Sequence, residues 1–249
     1  MTLLAHDVTG EGTPVLLLHS TACDRRMWDP QIPALTTAGH RVIRCDLRGY
    51  GDSAVPDESW SDAQDVVDLL DHLGEARTAL VGASGGGRVA LEVAARWPGR
   101  ITALALLCTA LAGHEPSPVL AAFGDEEDAL LEAGDAAAAT ELNVALWLGP
   151  DATDDVRDKV RQMQRHSFDV QLAARQDVGP VRAEIDLATI TAPALVVSGA
   201  FDVPDFREIA ATVASALKTE HVELETGHLP SLEAPEPVNA LLTGFIQVA

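Results

Sequence analysis

A serine, an aspartate and a histidine, in that order along the chain, carry the chemistry this sequence is equipped to perform. Ser84 lies in Gly82-Ala83-Ser84-Gly85-Gly86, directly after the apolar run Thr78-Ala79-Leu80-Val81 and before a helix-like stretch ending at Trp97. A sharp strand-to-helix turn of this kind holds a serine out as a nucleophile. It forces strained backbone angles on the serine, and a side chain two residues before or after it would strike the neighbouring chain. The hydroxyl is weak alone: it needs a base to take its proton, and the base needs an acid to fix its tautomer and balance its charge.

Both partners follow in the expected order. Asp202 ends Gly199-Ala200-Phe201-Asp202, just past an apolar run closing at Ser198, and His228 sits in Glu225-Thr226-Gly227-His228-Leu229-Pro230, just past another closing near Leu224. The carboxyl ends of strands are the rim where ligands bind in open α/β sheets. Asp205 is the rival acid, but it falls where a helix begins, and carboxylates are commonplace there. The loop after the preceding strand, Thr109-Ala110-Leu111, offers no carboxylate. His19 ends a strand ahead of the serine and reads as an orienting, hydrogen-bonded residue. His6, His40, His72, His114, His166 and His221 read as surface or cap residues, with His114 and His166 placed to border a pocket.

Attack on a carbonyl also needs donors for the oxyanion, usually backbone N–H groups. One is expected from Gly85, at the start of a helix where N–H groups are unpaired. The second is expected from His19-Ser20-Thr21-Ala22, with Thr21 the choice because it lies two residues beyond the strand-ending histidine. Such a site needs neither a metal nor an organic cofactor.

The elements that must position these groups follow from pattern. Apolar runs at Pro14–His19, Arg41–Asp46, Thr78–Ala83, Ile101–Cys108, Pro193–Ser198 and Thr219–Leu224 read as strands, with room for one more at about residues 2 to 8. Their lack of polar alternation suits a parallel sheet covered on both faces. Helical spacing appears from Asp65 to Leu73, over 205–217 and over 235–248. Between about 112 and 186 the alternation stops, and Val156, Val160, Met163, Ser167, Val170 and Ala174 recur at steps of four and three. The reading is one domain, core 1–111 and 187–249, with a helical cap over the strands' carboxyl ends. Trp147, Leu146, Met163 and Phe168 could line it for an aliphatic chain; the bland reading is that they pack the cap onto the core.

Composition bounds the partners. A chain of 249 residues with 47% apolar content can bury a substantial core. Cys23, Cys45 and Cys108 lack Cys-x-x-Cys spacing, which disfavours structural disulfides and a zinc site. A net charge of −21 argues against nucleic acid or an anionic membrane as partner. It also weakens attraction for anionic substrates, although a local arginine can overrule the global field. No apolar run approaches a membrane span or a signal peptide, so a soluble, cytoplasmic protein acting on a small molecule is expected. The cap is acidic, with fifteen Asp/Glu against six Lys/Arg from Glu115 to Glu184, which disfavours a cap-to-cap dimer and leaves other oligomeric states open.

Two further stretches give the chain a family likeness. Asp46-Leu47-Arg48-Gly49-Tyr50-Gly51-Asp52-Ser53 resembles the Asp-x-Arg-Gly-x-Gly-x-Ser loop of the α/β-hydrolase superfamily. Gly227-His228-Leu229-Pro230-Ser231-Leu232-Glu233-Ala234-Pro235 resembles its Gly-His-x-Pro-x-x-Glu-x-Pro segment. The resemblance implies an α/β-hydrolase fold: a mostly parallel central sheet with helices on both faces and a helical cap inserted after the sixth strand. It implies nucleophile Ser84, acid Asp202 and base His228, with Asp46, Arg48 and Glu233 fixing loops beside the site. One departure is His19-Ser20 where the family commonly has His-Gly, which puts the Ser20 hydroxyl within the candidate pocket. The cap length and Ser20 to Pro30 resemble the 3-oxoadipate enol-lactonase and small-lactonase branch. A serine esterase or lactonase is therefore expected, with acyl homoserine lactones a further candidate. Perhydrolase or haloperoxidase-like chemistry, carbon–carbon bond hydrolysis and a slow-turnover receptor are the alternatives. Serine at position 84 argues against dehalogenase or epoxide hydrolase chemistry, which needs a carboxylate nucleophile.

Overall fold

The computed structural model describes residues 3–175 and 178–248. The elements run β1 (His6–Thr9), β2 (Thr13–Leu18), α1 (Ile32–Thr37), β3 (His40–Cys45), α2 (Asp62–His72), β4 (Thr78–Ala83), α3 (Gly85–Arg96) and β5 (Ile101–Leu107). Three helices follow, α4 (Pro118–Glu132), α5 (Ala136–Trp147) and α6 (Asp154–Leu172). The chain then resumes with β6 (Ala194–Gly199), α7 (Pro204–Leu217), β7 (His221–Leu224), α8 (Pro230–Glu233) and α9 (Pro235–Val248).

The sheet order is β1-β3-β2-β4-β5-β6-β7, with β1 antiparallel to β3 and every other pair parallel. All six residues of β4 are buried, as a central strand covered on both faces must be. The register aligns Leu18 with Gly82, Gly82 with Leu106, Leu107 with Val197 and Gly199 with Leu224. The loops after β2, β4, β5, β6 and β7 therefore leave the sheet at one common edge. Edge strand β7 carries no fully buried residue, unlike the two-sided burial read from its apolar run, and neither does the other edge strand, β1. The first strand starts at His6; Thr2, where the sequence reading begins it, lies outside the described residues.

Helix boundaries follow local chemistry. Ser61, Ser117, Asp135 and Thr153 each cap a helix by accepting an N–H from its first turn, and Pro118 and Pro204 supply a first residue with φ already set. Lys218 closes α7 in the left-handed region, at φ 56°.

The helical insertion, α4 to α6, lies between β5 and β6; counted along this chain, the strand before it is the fifth. Phe168 packs with Ala136 and Ala139 in a small cluster within the insertion, whereas Met163 and Val160 join the main core. Polar ties hold the insertion to the sheet domain: Lys159 pairs with Asp29 at 2.7 Å, His166 Nε2 donates to the Gly51 carbonyl at 3.0 Å, and Gln171 donates to that of Gly49 at 3.1 Å. His40, read as a surface or cap residue, is instead buried in β3, where its Nδ1 takes the Thr13 hydroxyl at 2.9 Å.

Candidate active site

Ser84 is held by the strand it follows and the helix it precedes. Its backbone sits at φ 50°, ψ −117°, a conformation non-glycine residues rarely adopt and which costs about 1–3 kcal/mol. The turn is secured on both sides: Ser84 N–H donates to Leu107 O at 3.0 Å, and its carbonyl accepts from Arg88 at 3.1 Å and Ala110 at 3.0 Å. Glycine is required two residues away in each direction. A Cβ on Gly82 would stand 2.5 Å from Gly86 O and 2.7 Å from Gly87 Cα, and one on Gly86 would stand 2.5 Å from Leu18 O.

His228 and Asp202 meet at the same edge. His228 Nδ1 and Asp202 Oδ2 are 2.7 Å apart and both side chains are buried, while Asp202 Oδ1 accepts the Val203 N–H at 2.8 Å. This contact assigns the Nδ1 proton to the side facing the carboxylate and leaves Nε2 as the basic nitrogen. The two loops are sewn together, since Ala200 N–H donates to Leu224 O at 2.8 Å and Phe201 N–H to Thr226 O at 2.9 Å. Glu233 braces the histidine from both sides, accepting Gly227 N–H at 3.0 Å and Leu229 N–H at 3.1 Å. Its Oε2 also accepts Gly149 N–H at 2.8 Å, which ties the insertion to the same loop.

Asp205 has a different task. Its Oδ1 receives Ser117 N–H at 2.7 Å and faces His114 Nε2 at 3.0 Å, so it joins α7 to the start of α4. Burial pushes this carboxyl up, yet the hydrogen bonds from Ser117 and His114 hold it below its ordinary range.

His19 is fully buried and both ring nitrogens are engaged. Nδ1 donates to Ser20 O at 2.8 Å, and Nε2 accepts Leu47 N–H at 2.9 Å. Burial pulls its pKa down, so the ring is a neutral brace between two loops with no nitrogen left to act as base. The Ser20 hydroxyl is buried and accepts Ala22 N–H at 3.3 Å, within its own loop. Thr21 is exposed and, with Gly85, lines a cavity of about 230 Å³. Gly85 is the first residue of α3, so its N–H has no partner inside the helix.

Trp147, expected near a pocket, stands against His228 with ring centres 4.6 Å apart, its indole N–H given to Asn143 at 2.8 Å. Met163 and Phe168 are buried in packing clusters rather than on a described cavity. The sequence reading missed Phe206, whose ring is 4.2 Å from that of His228; Ile209, Ala210, Val213 and Ala214, at helical steps from it in α7, would have marked its face as inward. It also missed the setting of Cys108. This residue follows β5 at φ 44°, and its sulfur, an Asp202 oxygen and a His228 nitrogen lie within 4.8 Å of one another. These three are the one group among the described residues close enough to share a cation, but two of them already bond each other. Nor is Cys108 placed like Ser84: no helix begins after it until Pro118, and burial, reinforced by the Asp202 charge, raises its thiol well above the usual range.

The outer loops match their expected roles. Asp46 is fully buried and accepts the N–H groups of Arg25 and Asp52, each at 2.8 Å, besides the Arg25 guanidinium. Arg48 and Asp65 form a buried pair at 3.0 Å. No helix among the described residues is long and apolar enough to cross a membrane.

Comparison with known proteins agrees with this architecture. A Variovorax paradoxus (strain S110) protein named as a candidate carbamate hydrolase is 34% identical over 98% of this chain and 96% of its own. The enol-lactonase from Burkholderia xenovorans LB400 superposes with a TM-score of 0.82 at 25% identity, covering 98% of this chain and 96% of that one. A thermophilic esterase from Thermogutta terrifontis gives 0.79 at 28% identity, covering 98% and 93%. The family model described as the alpha/beta hydrolase family matches residues 15–241, and the chain belongs to that family.

Proposed function

We propose that the protein hydrolyses a small carboxylic ester or lactone, with Ser84 as nucleophile, His228 as general base and acid, and Asp202 as the group that orients and balances the histidine. The observation that carries the reading is the 2.7 Å contact between His228 Nδ1 and Asp202, at the sheet edge where Ser84 is held in a strained turn. The kinship with an enol-lactonase and an esterase supports the same bond class.

In this mechanism His228 Nε2 takes the Ser84 proton as Oγ attacks the carbonyl. The oxyanion receives the N–H groups of Gly85 and Thr21, whose preorganised dipoles lower the barrier where charge develops. Collapse expels an alkoxide, which takes the proton from His228, and water then repeats the cycle on the acyl-enzyme. A lactone keeps its leaving alcohol tethered to the acyl group, so the site must prevent its return. Residues 112–186 act as the cap of this site, over a core formed by 1–111 and 187–249.

A fluorophosphonate probe tests the assignment. The wild-type protein and Cys108→Ala should be labelled and Ser84→Ala should not; labelling lost in Cys108→Ala but kept in Ser84→Ala would move the nucleophile to the cysteine. A screen of short esters, γ-lactones and acyl homoserine lactones then identifies the substrate.

A further inference from the structure

Among the described residues, the cavity bounded by Thr21 and Gly85 carries a charge opposite to that of the whole protein. Arg88 reaches it from the first turn of α3, its backbone N–H bonded to the Ser84 carbonyl at 3.1 Å. Arg182 closes the other side, on a strap fixed by Val181 N–H donating to Trp60 O at 2.6 Å and by the bridge pairing Pro180 with Trp60. Arg48, also on the wall, is matched by Asp65 at 3.0 Å, and Arg88 by Asp62 at 3.3 Å. Asp62 is shared, since its other oxygen takes the Trp60 indole N–H at 2.7 Å. Arg182 has no carboxylate partner among the described residues, so one positive charge is left over. Burial, and then Arg182 itself, pull the Arg88 guanidinium below its ordinary range, as expected of two cations facing one space.

A surplus guanidinium beside a second arginine is unusual in a chain of net charge −21, whose overall field repels anions. A cavity of about 230 Å³ is too small for a nucleotide or a long acyl chain, but suits a carboxylate with a few methylenes. We propose that this cavity holds a second, anionic carboxylate of the substrate, gripped by Arg88 and Arg182 while its ester or lactone carbonyl lies at Ser84. The inference rests on Ser84 being the nucleophile and narrows the substrate to a half-ester or a carboxylate-bearing lactone. Guanidinium suits this task because its fork meets a carboxylate with two parallel charge-assisted bonds.

The test compares monomethyl glutarate with the neutral dimethyl glutarate, as a ratio of kcat/KM. The wild type should favour the anion by about tenfold or more, Arg182→Ala should bring the ratio near one, and Arg182→Glu should invert it. Arg182 is exposed, so these variants should fold. A wild-type ratio near one, or a ratio unchanged in Arg182→Ala, overturns the proposal while leaving ester hydrolysis intact. If neither ester is turned over, the hydrolase reading fails, and calorimetry of both esters with Ser84→Ala decides the anion site. Tighter binding of the monoester, erased by adding Arg182→Ala, supports it; equal binding of the two overturns it.

Discussion

Trp147 and His228 are joined twice: the His228 N–H donates to the Trp147 carbonyl at 2.8 Å, and the two rings lie 4.6 Å apart. The first link belongs to the backbone and survives any substitution, whereas the second depends on the indole. The same ring meets Phe123 at 5.1 Å and Phe206 at 5.7 Å, so the last residue of α5 lies at the junction of insertion, core and candidate base.

Trp147→Ala should therefore cost stability before it costs chemistry. Loss of a buried aromatic of this size destabilises by about 3–5 kcal/mol. Trp147→Phe keeps a ring against His228 but leaves Asn143 Oδ1 without its indole donor, a loss of about 1–3 kcal/mol. Urea denaturation checks both values. Turnover by whatever remains folded should fall far less than on replacing Asp202, because the backbone still positions His228.

The two aspartates three residues apart should separate cleanly. Asp202→Asn leaves the geometry but reverses the demand on His228 Nδ1, and a loss of about 10⁴-fold in kcat is expected from the analogous substitution in serine proteases. Asp205→Asn should hold kcat within a few-fold, because its partners are Ser117 and His114 rather than His228. Its signature is instead in the stability curve. A carboxyl held below its ordinary range stabilises the fold above about pH 4 and ceases to do so as pH falls through the folded value. Unfolding free energy measured between pH 5 and pH 2 should fall less steeply in Asp205→Asn than in the wild type. A large loss of kcat in Asp205→Asn with little in Asp202→Asn would exchange their roles.

Gly86→Ala tests the turn without touching a reactive group. The added Cβ would meet the Leu18 carbonyl at 2.5 Å, and two backbones cannot yield as a flexible side chain can. Overpacking of this kind costs about 1–3 kcal/mol and sometimes more, so a lowered Tm with lost probe labelling is expected. Gly99→Ala, with nothing near its would-be Cβ, should leave both unchanged.

These features differ in how they are written into the chain. Ser84, Asp202 and His228 are legible because each is marked locally, by an apolar run ending and a glycine pattern beginning. The face of α6 is legible too, since its apolar steps of three and four do bury Val160, Met163 and Ser167. What those residues touch is not, because one helical period serves a pocket wall and a packed core equally well. Phe206 against His228, Cys108 beside Asp202 and Arg182 across from Arg88 join segments far apart in sequence. Only the sheet order and the strap at Trp60 bring them together, and no local pattern encodes a distance across the fold. His40 misleads for a related reason: polarity placed it outside, whereas its position in β3 and the Thr13 hydroxyl make burial tolerable.

His19 joins pH dependence to the loop that carries Thr21. Its ring is buried and neutral, donating from Nδ1 to Ser20 O and accepting Leu47 N–H at Nε2. Protonation would turn Nε2 into a donor facing another donor, besides placing a charge away from water. The folded pKa is therefore lowered, while in the unfolded chain it returns to about 6.5. With this sign, the unfolded state binds the proton first as pH falls. Stability from this residue is complete above about pH 6.5 and drains away on acidification toward the folded value. Unfolding free energy between pH 7.5 and pH 5 should decline in the wild type, and His19→Gln should remove most of that decline while lowering stability at pH 7.5. The variant also loosens the turn that carries Thr21, so its kcat should fall with little change in KM for a short neutral ester. A decline that persists undiminished in His19→Gln would assign the acid sensitivity to another group.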